Sequence, residues 1–177
     1  MIGGIVIKVG VIGAQGKMGS QTIKMILEDS ELELICTVDK FNTGNKITEN
    51  VIIEDDIEKA LIAHKPNIVV DFTQPSTIFD NIKIYMKNKT KAVIGTTGLT
   101  KEQIREIEKL SKENNTGIII APNFSIGAIL MMKFAKMASK YFSNAEIIEY
   151  HHNQKKDAPS GTAVKTAQLM AQAKEDF

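Results

Sequence analysis

Over residues 1–120 the hydrophobic pattern switches repeatedly between apolar runs and a three-to-four-residue period, which predicts strands and helices taking turns. Residues 6–12 form a nearly continuous apolar run, the pattern of a strand covered on both faces. A helix is expected over 15–28, with Met18, Thr22, Met25 and Ile26 near one face. There follow a strand at 32–38, a helix at 57–63, a strand at 68–72 and a helix at 77–87 capped by Ser76. A strand at 92–94, a helix at 100–113 and a strand at 117–120 complete the series. Thr100 and Gln103 have the spacing of a capping box. Such alternation predicts an α/β fold: a Rossmann-like doubly wound parallel sheet with helices on both faces.

After residue 121 the texture changes. A helix rich in methionine and alanine is expected over 128–141, with Met131, Met132 and Met137 as core, then a strand over 145–150 and a helix from Ala163. The boundary falls at Asn123, giving a dinucleotide-type domain over 1–123 and a partial α+β domain over 124–177.

Composition narrows the classes. With 43% hydrophobic residues, 24% charged and a net charge of +1, the 177-residue chain reads as an ordinary globular protein. Basic residues are interleaved with acids, as over 101–109, so no nucleic-acid partner is expected. The apolar opening is interrupted by Lys8 and has no basic leader, so neither a membrane span nor an export signal is expected. The single cysteine, Cys36, sits in a strand-like run as a buried thiol, which fits a cytoplasmic location.

Two regions carry chemistry. Gly13-Ala14-Gln15-Gly16-Lys17-Met18-Gly19 follows the first strand and opens the first helix, where glycines permit a tight turn and close approach of backbone to a pyrophosphate. Gln15 stands where the common fingerprint has a glycine. Asp39 ends the second strand at the place of a ribose-binding acid, and Lys40 beside it could pair with a 2′-phosphate, which leaves NADH and NADPH both open. The loops at 71–75, at Gly95-Thr96-Thr97-Gly98 and at Ala121-Pro122-Asn123-Phe124 should reach the same carboxyl edge of the sheet.

The second region, 149–162, holds His151, His152, Lys155, Lys156 and the turn Pro159-Ser160-Gly161-Thr162. Imidazole suits proton transfer near neutrality, and lysines with a helix start suit a dianionic small molecule. A metal site is not expected, because adjacent strand residues point to opposite faces and the chain offers one cysteine.

Taken in order, the glycine loop, Val70-Asp71-Phe72-Thr73, Gly95-Thr96-Thr97-Gly98, the run 121–127 and the histidine stretch 149–162 resemble the 4-hydroxy-tetrahydrodipicolinate (dihydrodipicolinate) reductases of lysine biosynthesis. The resemblance covers nearly the whole chain. It implies NAD(P)H-dependent reduction of an unsaturated cyclic dicarboxylate in the diaminopimelate route. His151 would serve as proton donor or acceptor with Lys155 as catalytic partner, and His152, Gly161 and Thr162 would hold substrate. Gly13 to Met18, Asp39, Lys40, Gly95, Thr96, Thr97 and Ala121, Pro122, Asn123 and Phe124 would contact the dinucleotide. Family members continue past residue 177 with strands that complete the substrate domain and build a homotetramer, so this chain is expected to be C-terminally truncated and without the tetramer's sheet. Two rival readings are an inactive NAD(P)H-binding remnant, which binds cofactor without turnover, and a different small-acid dehydrogenase, which has no need of the histidine stretch.

Overall fold

The structure, a computed structural model, describes residues 5–121, 123–151, 153 and 158–175. It divides into two compact units, Met1–Ala121 and Pro122–Phe177.

The first unit runs β1 (Ile7–Ile12), α1 (Lys17–Glu28), β2 (Leu32–Val38), β3 (Ile53–Glu54), α2 (Ile57–His64), β4 (Ile68–Asp71), α3 (Ile78–Lys87), β5 (Lys91–Ile94), α4 (Lys101–Asn114) and β6 (Ile118–Ile120). The strands form one six-stranded sheet in the order β3-β2-β1-β4-β5-β6, each pair parallel. That order is the Rossmann arrangement, and the order of winding reverses between β1 and β4, where a crevice opens at the carboxyl edge.

Side-chain alternation along the strands divides the core. Val9 and Val11 of β1 pack with Ile23 and Ile26 of α1 and Leu34 of β2 on one face. Ile12 and Val69 pack with Ile78, Ile82 and Tyr85 of α3 and Ile94 of β5 on the other. Cys36 is buried, and its desolvation, with Glu54 nearby, pushes the thiol up to about 12, so it stays a protonated core group.

Most elements fall within two residues of expectation, and the departures have physical causes. The buried face of α1 is Gly19, Ile23 and Ile26, while Met18 and Met25 are exposed. Gly19 brings the helix so close to the turn after β1 that the contact stripe passes through it rather than through the methionines. Ser76 does not cap α3: the N-cap is Thr77, which makes no side-chain cap, and the backbone N–H of Ile78 donates to Gln74 O instead. The two-residue β3 was not anticipated. Its ladder to Thr37 and Val38 is too short to imprint an alternating pattern. The capping box at Thr100 and Gln103 forms as expected.

In the second unit, α5 (Ile126–Ala138) packs on α6 (Gly161–Glu175). Ser139 Oγ donates to Met170 O at 3.2 Å and Lys174 Nζ to Ser143 O at 2.7 Å, tying the two helices together. Met132 is buried between them as expected of a core residue, but Met131 and Met137 are exposed, because one helix partner covers only one stripe of α5. The expected strand at 145–150 has no ladder among the described residues: the segment is irregular. A run of strand-like composition needs a paired backbone to become a strand, and among the described residues of this unit no other strand is present to pair with it.

Candidate functional site

Within the first unit, a cavity of about 610 Å³ opens at the carboxyl ends of β1, β2 and β4. The chain leaves β1 through Gly13, at φ +79°, where an added Cβ would stand 2.7 Å from Phe72 O. Only glycine fits that turn and that approach. The backbone N–H of Gly13 donates to Val38 O at 2.9 Å, fastening the loop to β2. Gly16 is the N-cap of α1 and supplies no side-chain cap, so the first amides of the helix are left for a ligand.

Asp39 faces this loop. Its Oδ2 accepts from the backbone N–H of Gln15 at 2.8 Å and its Oδ1 from that of Phe41 at 3.1 Å. Gln15 Oε1 in turn accepts from Asn42 Nδ2 at 3.0 Å. The carboxylate is thus fixed at the mouth of the cavity. Of the residues singled out from the sequence, Gly13, Gln15, Gly16, Asp39 and Lys40 line the cavity. Ala14 is buried behind the loop, and Lys17 and Met18 start α1 with exposed side chains. Gly95, Thr96 and Thr97 follow β5, with Thr96 buried, and Ala121 follows β6, both at the carboxyl edge of the sheet. Thr73, in the 71–75 loop expected at this edge, lines it too, whereas Phe41, Asp55, Asp80 and Asn81, which also line the cavity, were not flagged by the sequence. Asp71 at the end of β4, read from the sequence only as part of the 71–75 loop, is buried, and no bracing role for its carboxylate was read from the sequence.

In the second unit, Asn123 Nδ2 donates to Thr162 Oγ1 at 3.1 Å, and Asn123 Oδ1 accepts from Ser125 N at 2.8 Å. Asn123 therefore joins the entry to α5 to the first turn of α6. Ser160 Oγ accepts from Ala163 N at 3.1 Å as a cap, which takes one of the amides at the start of α6 and leaves those of Gly161 and Thr162. Glu149 Oε1 accepts from Ser160 N at 2.8 Å, and Glu149 Oε2 lies 3.9 Å from His151 Nδ1. Phe124 is exposed beside Asn123. Pro122, His152 and Lys155 lie outside the described residues.

Residues 7–124 match the family described as dihydrodipicolinate reductase, N-terminus, and residues 127–176 the one described as dihydrodipicolinate reductase, C-terminus. The chain belongs to the dihydrodipicolinate reductase family. It is 49% identical over 176 residues to the 4-hydroxy-tetrahydrodipicolinate reductase of Carboxydothermus hydrogenoformans, covering 96% of this chain and 67% of that one. It is 48% identical over 170 residues to the reductase of the same name from Syntrophomonas wolfei, covering 92% and 64%. Among solved structures, dipicolinate-bound dihydrodipicolinate reductase from Paenisporosarcina sp. TG-14 superposes with a TM-score of 0.82 at 38% identity, over 97% of this chain and 68% of that one. The chain thus spans about two thirds of the length of these relatives.

The N-terminal domain of dihydrodipicolinate reductases binds NADH or NADPH. The residues present fit such a group: a glycine turn without room for a Cβ, an uncapped helix start and a carboxylate at the ribose position surround one cavity. No helix among the described residues is long and apolar enough to cross a membrane.

Proposed function

We propose that this chain carries the cofactor domain and the catalytic stretch of a reductase that converts 4-hydroxy-tetrahydrodipicolinate to tetrahydrodipicolinate by addition of a hydride and a proton with loss of the 4-hydroxyl as water, acting in the cytoplasm. The observation that carries this reading is the cavity over the glycine loop, with Asp39 fixed at its mouth, in a chain whose family match extends through the histidine stretch. Residues 1–123 hold the dinucleotide and residues 124–177 contribute to the substrate site. When bound, the nicotinamide supplies hydride. The first turn of α1 and the glycine loop hold the pyrophosphate by backbone N–H groups. His151 delivers the proton that balances hydride addition to the ring, with Lys155 as its catalytic partner. His152, Gly161 and Thr162 hold a ring carboxylate, two of them as the open amides of α6.

The deciding experiment mixes the 177-residue chain with freshly generated 4-hydroxy-tetrahydrodipicolinate and follows NADH or NADPH absorbance. Substrate-dependent oxidation is expected. NADH binding without oxidation would instead mark an inactive cofactor-binding remnant.

The charges around the cavity favour NADH. Asp39, Asp55 and Asp80 line it against the single ammonium of Lys40, so a 2′-phosphate would enter a region with three carboxylates and one counter-charge. NADH should bind at least about tenfold more tightly than NADPH at low salt, which corresponds to about 1.4 kcal/mol. Fluorescence titration of both nucleotides measures the ratio, and Asp39→Ser should narrow it. Equal or tighter binding of NADPH by the unmodified chain would sink the charge argument.

A further inference from the structure

Asp71 closes β4 with its side chain fully buried, and every group aimed at its carboxylate is a donor. The two oxygens serve different elements. Oδ2 accepts from Tyr85 Oη at 2.5 Å and from Asn81 Nδ2 at 3.1 Å, both on α3. Oδ1 accepts from the backbone N–H of Thr73 at 2.7 Å, from Thr73 Oγ1 at 2.6 Å and from Thr96 Oγ1 at 3.3 Å. One carboxylate therefore braces a helix with one oxygen and, with the other, holds two loops that leave neighbouring strands at the carboxyl edge.

Those loops matter for the site. Thr73 lines the cavity, and Asn81, which also donates to Thr73 Oγ1 at 3.1 Å, lines it from α3. Thr96 belongs to the loop after β5, and the N–H of Gly95 beside it donates to Asp71 O at 2.9 Å. Burial, with the adjacent Asp71 carboxylate, pushes the Tyr85 phenol well above its ordinary range, so the hydroxyl keeps its proton and remains a donor.

From this arrangement we infer that Asp71 is a positioning residue for the dinucleotide, setting the loops after β4 and β5 before the cofactor arrives. It touches no ligand itself. Buried networks of this kind are stiff because each lost partner leaves an unsatisfied polar group. Loops held this way keep groups that meet a ligand within the narrow tolerance that binding and hydride transfer need. The inference rests on the cofactor reading given above.

The test compares Asp71→Asn with Tyr85→Phe by NADH fluorescence titration under conditions where each variant is folded by circular dichroism. The amide nitrogen of Asp71→Asn cannot accept from all the donors now satisfied, and it should weaken NADH binding at least tenfold. Tyr85→Phe removes a donor only from the oxygen that faces α3. It should lower the urea midpoint yet leave the NADH Kd within twofold. A folded Asp71→Asn protein with unchanged NADH affinity overturns the inference, as does an equal loss of affinity in both variants, which would mean general destabilisation. Should Asp71→Asn fail to fold, amide hydrogen exchange on the unmodified chain decides. The Thr73 amide should be protected before NADH is added, and an amide that exchanges freely until NADH arrives overturns the inference. Failure of the unmodified chain to bind NADH at all removes the cofactor reading itself, a distinct result.

Discussion

Gly19→Ala should abolish NADH binding and destabilise the first unit by at least about 3 kcal/mol, at the upper end of what overpacking costs. A Cβ built on Gly19 falls 2.0 Å from Gly13 O, 2.9 Å from Gly13 C and 3.0 Å from Ala14 Cα. All three are backbone atoms, so no rotamer change relieves the clash. Either α1 lifts from β1, opening the buried contacts of Ile23 and Ile26, or the turn at Gly13 breaks. Gly13 has little freedom to move, since its N–H is bonded to Val38 O and its Cα faces the backbone of Phe72. Both routes displace the amides proposed to hold a pyrophosphate. Gly117→Ala is the control: a Cβ there meets nothing within 4 Å, so stability and binding should stay near those of the unmodified chain. Urea denaturation and NADH titration of the two variants check the pair. A Gly19→Ala protein that binds NADH normally would show that the turn after β1 is more pliable than its contacts imply.

That third glycine illustrates what was legible in the sequence. The loop could be read because an apolar strand precedes it and a helix follows, and Gly16 and Gly19 answer to backbone only a few residues away, at Gly13 and Ala14. Asp39 was legible for the same reason, as the end of a strand at a fixed distance from the loop. What could not be read depends on partners far along the chain. The strand β3 exists because Thr37 and Val38 leave an open edge that Ile53 and Glu54 fill, and two residues carry no period of their own. Residues 145–150 show the converse, a strand-like composition without an edge to join. Asp71 was legible as part of a loop at the ligand edge, but not as the point on which Thr73, Asn81, Tyr85 and Thr96 converge from two loops and a helix. Local rules placed the pyrophosphate turn, while long-range contacts decided how the rest of the cavity is walled.

His151→Gln should lower kcat by about a hundredfold to a thousandfold, within the range a positioned general acid supplies, while leaving NADH affinity within twofold. The segment bearing His151 is irregular, yet it is not left without support. Glu149 accepts from Ser160 N–H through one oxygen, at 2.8 Å, and brings the other to 3.9 Å from His151 Nδ1, so one carboxylate caps the approach to α6 and stands near the imidazole. The proposed proton donor and the proposed anion-binding helix start thereby share one carboxylate as neighbour, as a reaction on a ring bearing carboxylates would require. Gln keeps much of the size and hydrogen-bonding capacity of His but has no transferable proton near neutrality. Loss of turnover with binding intact would therefore place the defect in the proton step rather than in assembly of the site. The measurement is steady-state kinetics with saturating NADH, beside a fluorescence Kd for the nucleotide. A kcat within twofold of the unmodified chain would remove His151 from the mechanism and move the proton donor to another group of the 149–162 stretch.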